Sequence, residues 1–227
     1  MIPKILLFSV AYLIGSIPTG YWLGKVWKGI DIRQHGSGNV GATNVFRVLG
    51  AGPGLVTLLI DILKGWVCVY VCLKGIVTMA YTPILTATIT IGPCDIPGFC
   101  GTTSVMMNPL VLATLAGLTA ILGHCTSPFV GFKGGKGVAT SAGVFLALMP
   151  IPGLIALGIF LLSLAATRIV SISSILAALG LAVSAWCLTR PMVLDDAATV
   201  VAALILYKHR SNIHRLLKGT EPRLYGR

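Results

Sequence analysis

Charge is what this chain has least of. Asp and Glu together number 6, and Asp, Glu, Lys and Arg make up only 10% of 227 residues, where an ordinary globular domain carries roughly a quarter. A soluble domain cannot cover its surface so sparingly. With 56% hydrophobic residues and a mean hydropathy of +0.92, the composition is that of an integral membrane protein. Histidine is also scarce, at 4, and no Cys/His spacing resembles a zinc site. The first apolar stretch, Ile5 to Leu23, lacks a small-residue cleavage site before Lys25 and Lys28, so it reads as a retained span and not as a removed signal peptide.

A span needs roughly 20 apolar residues. Ile5 to Leu23, Gly54 to Leu73 and the shorter Pro109 to Leu122 meet that need. Val138 to Thr167 is too long for one helix and is broken by Pro150, Pro152 and Gly153, so it reads as two short spans. Ile169 to Leu188 and Ala197 to Tyr207 follow, the latter opened by Asp195 and Asp196, which suit a helix N-terminus. The expectation is an all-α polytopic membrane protein, residues 1–227 forming one domain of seven transmembrane helices, with the N-terminus outside and the C-terminus cytosolic. The rule that cytosolic loops carry the basic residues supports this count: seven crossings place 13 of the 17 Lys and Arg inside, leaving Lys4, Lys74 and Arg190 outside and Lys64 within the second span.

The interval from Gly75 to Asn108 is threonine-rich, contains Pro83 and reads as a partly interfacial outer loop. An oxidising exterior would permit a disulfide between Cys94 and Cys100, and two unpaired thiols are the alternative. Cys68, Cys72, Cys125 and Cys187 lie in or beside apolar helices and read as packing residues.

Three glycine-rich or basic segments interrupt the apolar pattern: Gly36 to Asn44 (GSGNVGATN), Phe132 to Thr140 (FKGGKGVAT) and Lys208 to Leu217 (KHRSNIHRLL). Parity puts all three on the cytosolic face, joined by the turn from Arg168 to Ser174. Gly36, Gly38 and Gly41 match a dinucleotide fingerprint by letter, but a membrane helix precedes them where that motif needs a strand. Around Lys136 the Walker pattern fails, with Val130 in place of its first glycine and Gly137 in place of Ser or Thr. What survives is the physics these motifs share, in which converging backbone N–H groups and a helix N-terminus hold an anion. Ser37, Gly38, Asn39, Gly41, Thr43 and Asn44 supply donors and Arg47 a guanidinium. Lys133, Gly134, Gly135, Lys136 and Gly137 form a second cradle. A basic loop that merely anchors to anionic lipid is the alternative reading.

His209, Arg210 and Asn212 follow a span within one helical turn and can point back toward these loops; interfacial snorkelling is the alternative. His124 suits an interfacial or structural role as readily as a site. Asp61 and Lys64, three apart in the second span, read as a structural pair in preference to a substrate site.

GSGNVGATNVFR (Gly36 to Arg47), Gly123-His124 with Pro128 and GFKGGKGVAT (Gly131 to Thr140), RIVSISS (Arg168 to Ser174) and HRSNIHRLLKGTE (His209 to Glu221) resemble, in order and over nearly the whole chain, the bacterial membrane acyl-phosphate:glycerol-3-phosphate acyltransferases. The resemblance implies acyl transfer from acyl phosphate to the 1-hydroxyl of sn-glycerol 3-phosphate, giving lysophosphatidic acid and phosphate, the first acylation of phospholipid synthesis. It implies seven helices, a cytosolic-face site in the bacterial inner membrane, a soluble enzyme upstream that makes the donor, and neither metal, organic cofactor nor nucleic acid. Ser37, Arg47, Lys136, Ser174, His209 and Asn212 match positions the family uses for catalysis and substrate binding. Gly38, Asn39, Gly41, Asn44, Lys133, Gly134, Gly135, Gly137 and Arg210 complete the implied phosphate pocket. No His is followed five residues later by Asp, so the His/Asp dyad of soluble glycerolipid acyltransferases is missing, and cytosolic-face carboxylates are almost limited to Asp31 and Glu221. A substrate phosphate is therefore expected to take the hydroxyl proton. An organic-phosphate transporter is the alternative, and it would want basic residues deep in several helices where only Lys64 is found.

Overall fold

The structure is a computed structural model that describes residues 2–79, 86–90, 102–106, 108–188 and 191–224. Ten α-helices and one small hairpin make up its regular elements among the described residues: α1 (Ile2–Ser16), α2 (Thr19–Lys28), α3 (Ala42–Leu49), α4 (Ala51–Met79), β1 (Thr86–Thr90), β2 (Thr102–Met106), α5 (Pro109–Cys125), α6 (Val138–Leu148), α7 (Pro150–Thr167), α8 (Val170–Cys187), α9 (Met192–Lys208) and α10 (Arg210–Leu217).

The first expected span is not one straight helix. It breaks at Ile17-Pro18 and turns by 40° between α1 and α2, because proline offers no N–H and its ring collides with the preceding turn. The break frees carbonyls that are then used: Ser16 accepts from Ser127 Oγ at 2.5 Å and Ile17 from Lys64 Nζ at 3.1 Å. The Pro150 reading holds, since α6 ends at Leu148 and α7 begins at Pro150. In the interval expected to be a loop, α4 runs on to Met79 and β1 pairs antiparallel with β2, Thr86 opposite Met106. Threonine is β-branched, and the residues that suggested a loop are ones that strands favour. Cys94 and Cys100 lie outside the described residues.

Among the described residues, four helical segments are long and apolar enough to cross a membrane, Ala51–Lys74, Pro109–Val130, Pro150–Thr167 and Val170–Cys187, with the bent α1–α2 pair as a fifth. At 11 residues, α6 spans about 16 Å, roughly half of a bilayer's hydrocarbon thickness.

Helix α4 lies centrally, packed against α1, α5 and α6, while α7 and α8 form a hairpin continued by α9. Small residues are prominent in the core, with Ala113, Ala116, Ala120, Ala198 and Val201 buried beside the larger Ile121, Phe145 and Met149. Glycine permits the closest crossings: a Cβ at Gly65 would overlap the Thr140 carbonyl, and one at Gly143 the Ile62 carbonyl. Where lipid tails are as apolar as leucine, such close backbone contact supplies the packing that holds helices together. By contrast, α7 buries only Pro152 and Gly153 and turns Leu154, Leu161 and Leu162 outward.

Candidate active site

The three interrupting segments meet at one end of this bundle. In the first, Asn44 is the organiser. Its Oδ1 accepts from the Ser37 N–H at 2.8 Å, and its Nδ2 donates to the Asn39, His35 and Ile32 carbonyls at 2.8, 3.0 and 3.2 Å. Asn39 Oδ1 in turn accepts from the Gly41 N–H at 2.8 Å. These amides hold the loop's shape, so Asn44, expected among the phosphate ligands, spends its polar atoms inside the loop. The Ser37 side chain stays exposed, and Arg47 leaves the last turn of α3 toward the other segments.

The second segment leaves α5 through a short 3-10 turn, Pro128–Val130, and re-enters helix at Val138. Its Gly134 and Gly135 are required by close packing against α5. A Cβ at Gly134 would overlap the His124 carbonyl and one at Gly135 the His124 ring, while the Gly135 N–H donates to the His124 carbonyl at 3.0 Å. Gly137 adopts φ 84°, a left-handed conformation that favours glycine, just before α6. Lys133 points outward and exposed. In the first turn of α6 the Thr140 and Ser141 hydroxyls are buried with no partner among the described residues.

The third segment supplies the centre. Lys136 Nζ donates to Asn212 Oδ1, and Asn212 Nδ2 donates to Glu221 Oε1 at 2.5 Å. Glu221 also accepts from Ser171 Oγ at 2.8 Å and pairs with Arg215 Nε at 2.7 Å. Arg47 Nη2 donates to the Pro222 carbonyl at 3.2 Å, while its Nε is buried without a partner among the described residues. The C-terminal strap that carries Glu221 is tied down again where the Leu224 N–H donates to the Arg168 carbonyl at 2.8 Å. Arg168 sits at φ 60° and turns the chain between α7 and α8.

Around one carboxylate there are thus three cations, Arg47, Lys136 and Arg215, a surplus of two positive charges. Burial pushes Lys136 down from the ordinary lysine range to about 8, with Glu221 opposing and Arg215 and Arg47 adding to the effect. His209, buried just past the end of α9, is lowered to about 4 by burial and then by Lys136. Its Nδ1 lies 2.8 Å from the Ile205 carbonyl. Toward a carbonyl that nitrogen must donate, which leaves Nε2 as a lone-pair acceptor. Burial alone would raise Glu221, but the hydrogen bonds from Asn212, Ser171 and Arg215 outweigh it and hold the carboxyl below its ordinary value.

Of the residues expected in a site, the structure gathers Arg47, Lys136, Asn212 and His209. Ser174 is buried, but its hydroxyl donates to the Val170 carbonyl of its own helix at 2.8 Å, and Ser171 is the serine joined to the network. Arg210 lies over the Tyr207 ring at 4.5 Å, apart from the cluster. Ser171, Arg215 and Glu221 are the residues that sequence reasoning missed. Glu221 carried the one usable signal, as one of only 6 carboxylates in the chain and the one that lies inside a matching motif.

The sequence profile of the family described as Glycerol-3-phosphate acyltransferase matches residues 5–219. The chain is 43% identical over 219 residues to the glycerol-3-phosphate acyltransferase of Thermosynechococcus vestitus, covering 96% of this chain and 94% of that one. It belongs to the glycerol-3-phosphate acyltransferase family. The corresponding protein of Acaryochloris marina is 45% identical over 218 residues, covering 96% of this chain and 91% of that protein. The fold is similar to the crystal structure of PlsY (YgiH), an integral membrane glycerol 3-phosphate acyltransferase, in its glycerol 3-phosphate form, with a TM-score of 0.80, 36% identity and coverage of 99% and 96%. Its lysophosphatidic acid form gives a TM-score of 0.77 at 35% identity, with the same coverage. The chain is therefore an integral membrane acyltransferase of the glycerol 3-phosphate class.

Proposed function

We propose that this protein transfers a fatty acyl group from acyl phosphate to the 1-hydroxyl of sn-glycerol 3-phosphate, giving 1-acyl-glycerol 3-phosphate and inorganic phosphate at the cytosolic face of the bacterial inner membrane. The chain forms a single domain that crosses the membrane seven times, with α6 and α9 as short spans. The observation that carries this reading is the surplus of positive charge at Arg47, Lys136 and Arg215 around Glu221.

Two phosphates of unlike origin suit such a cluster, one on the soluble acceptor and one on the donor. Arg47 Nε, the Lys136 ammonium and the first-turn groups of α6 bind phosphate oxygens. The His209 Nε2 lone pair accepts from the glycerol 2-hydroxyl and, with Asn212, orients the acceptor, leaving the proton of the 1-hydroxyl free. The hydroxyl oxygen attacks the acyl carbonyl carbon, the bond from that carbon to the phosphate oxygen breaks, and the hydroxyl proton leaves with the phosphate. Both cytosolic-face carboxylates are already engaged, Asp31 with Arg33 at 2.7 Å and Glu221 with Arg215, Asn212 and Ser171, which favours proton transfer to substrate over a protein carboxylate. Transfer from the mixed anhydride then rests on positioning and on stabilising the charge that develops in the transition state. The donor is supplied by a soluble enzyme that makes acyl phosphate. A transporter reading gains nothing from Lys64, whose charge is paired with Asp61 at 2.9 Å.

The purified protein in detergent is expected to release phosphate only when glycerol 3-phosphate and acyl phosphate are both present. No release across several acyl-chain lengths, or equal formation of acyl-glycerol 3-phosphate with an acyl thioester in place of acyl phosphate, would sink the assignment.

A further inference from the structure

One buried polar cluster lies outside this chemistry. Lys64 Nζ is 2.9 Å from Asp61 Oδ1, 2.9 Å from His124 Nδ1 and 3.1 Å from the Ile17 carbonyl. An ammonium has three protons, and here each finds an acceptor. Thr19 Oγ1 adds a contact to Asp61 at 3.4 Å. Asp61, Lys64 and His124 are 3%, 5% and 8% exposed, so the Asp61 and Lys64 charges are expensive to place and are held only because the three groups satisfy one another.

Both anion-binding loops rest on this cluster. On one side the Nε2 edge of the His124 ring faces Gly135, where an added Cβ would overlap it, and the His124 carbonyl accepts the Gly135 N–H. On the other side Val40 of the first loop shares a small cavity with Ser16, Thr19, Asp61, His124 and Ser127, and its carbonyl packs against Gly20 beside Thr19. A simple charge pair inside a helix needs neither the third member nor the proline break that offers Ile17. We propose that Asp61, Lys64 and His124 are positioning residues: Lys64 orients the His124 imidazole, and the ring sets the height of Gly135 and so the place from which Lys136 reaches substrate phosphate.

This rests on the functional reading above, so the test has a readout that needs no acyl donor. Full-length protein in detergent is titrated with glycerol 3-phosphate while thermal stabilisation is followed, and KM and kcat are measured in parallel. Gly135→Ala is expected to raise KM for glycerol 3-phosphate at least about ten-fold, and Gly135→Ala with His124→Ala, which vacates the space, to recover most of that loss. Lys64→Met is expected to raise KM by a similar factor with kcat within about three-fold of wild type. A Gly135→Ala protein with wild-type KM and stabilisation overturns the proposal, as does a double variant that elutes as a single species and binds no better than Gly135→Ala. Should the double variant not elute as a single species, Lys64→Met decides: a changed kcat with unchanged KM, or no change in either, overturns it. Absence of turnover in wild type, with glycerol 3-phosphate still stabilising the variants in the expected order, would fault the acyl-phosphate reading and leave the positioning role standing.

Discussion

Asn212 Nδ2 donates to Glu221 Oε1 at 2.5 Å while Asn212 Oδ1 accepts from Lys136, so a single amide bridges the cation of one loop and the carboxylate of the C-terminal strap. An amide does this because it offers a donor and an acceptor on one rigid plane. Asn212→Asp would turn an acceptor toward Glu221 and leave two carboxylates in contact. Turnover is expected to fall at least about 100-fold, as a misplaced site residue commonly causes, with Asn212→Gln retaining more activity than Asn212→Asp. Initial-rate measurements on the two variants decide.

The lysine at the centre gives a pH signature. Free Lys136 is held near 8 by burial, so it carries charge below that value and loses it as pH rises above it. The kcat/KM for glycerol 3-phosphate should decline above about pH 8, two units or so earlier than an ordinary lysine would allow. Lys136→Arg keeps its charge over that range, so a residual activity in that variant should not show the decline. A flat wild-type profile to pH 10 contradicts the assignment.

His209 gives the opposite expectation. Lowered to about 4 by burial, it stays neutral throughout the physiological range and contributes no acid limb between about pH 5.5 and 7.5. His209→Ala should lower kcat by roughly 10- to 1,000-fold, in keeping with loss of one positioned polar contact in a transition state.

Arg47 tests geometry against charge. Its Nη2 is committed to the Pro222 carbonyl and its Nε is buried and unpartnered among the described residues, an arrangement that a lysine cannot reproduce because it lacks the planar fork. Arg47→Lys is expected to raise KM for glycerol 3-phosphate about ten-fold despite keeping the charge, a loss of about 1.4 kcal/mol. Wild-type KM in this variant would show that charge alone suffices.

Glu221→Gln tests the strap. The ion pair with Arg215 goes, while Asn212 and Ser171 keep a neutral acceptor, so thermal unfolding in detergent should show a loss of about 1–2 kcal/mol, discounted because Arg215 is 39% exposed. The same variant should bind inorganic phosphate no more weakly than wild type, since the competing carboxylate charge is gone. Unchanged stability would mean that the strap is held chiefly by Pro222 and Leu224.

Much of the fold was legible before any coordinates. Pro150 and Pro109 mark helix starts because proline suits the first turn and cannot continue a helix, and α6, α7 and α5 begin or end accordingly. The bend at Pro18 departs from the single span read over Ile5 to Leu23, and its use was further out of reach, since Ile17 finds Lys64 across 47 positions. Threonines misled in the opposite direction: they read as loop and form strand, because β-pairing depends on a partner strand that local pattern does not reveal. Within the site, Ser174 came from the family motif, and Ser171, one helical turn earlier in the same motif, was not singled out. Only the position of the strap tells which hydroxyl faces Glu221.

The sequence alone determined that this is a helical membrane protein, that its glycine-rich and basic segments share one face, and which family those segments belong to. Those properties follow from transfer energies, local backbone preference and motif order, each readable within a short window. The tertiary structure decided that Asn44 braces a loop while Asn212 bridges charges, that Glu221 gathers Ser171, Asn212 and Arg215, and that Lys64 reaches His124 beneath Gly135. Each of these is a contact between segments distant in the chain, and its energy depends on burial and on which donors remain unspent once the helices have packed.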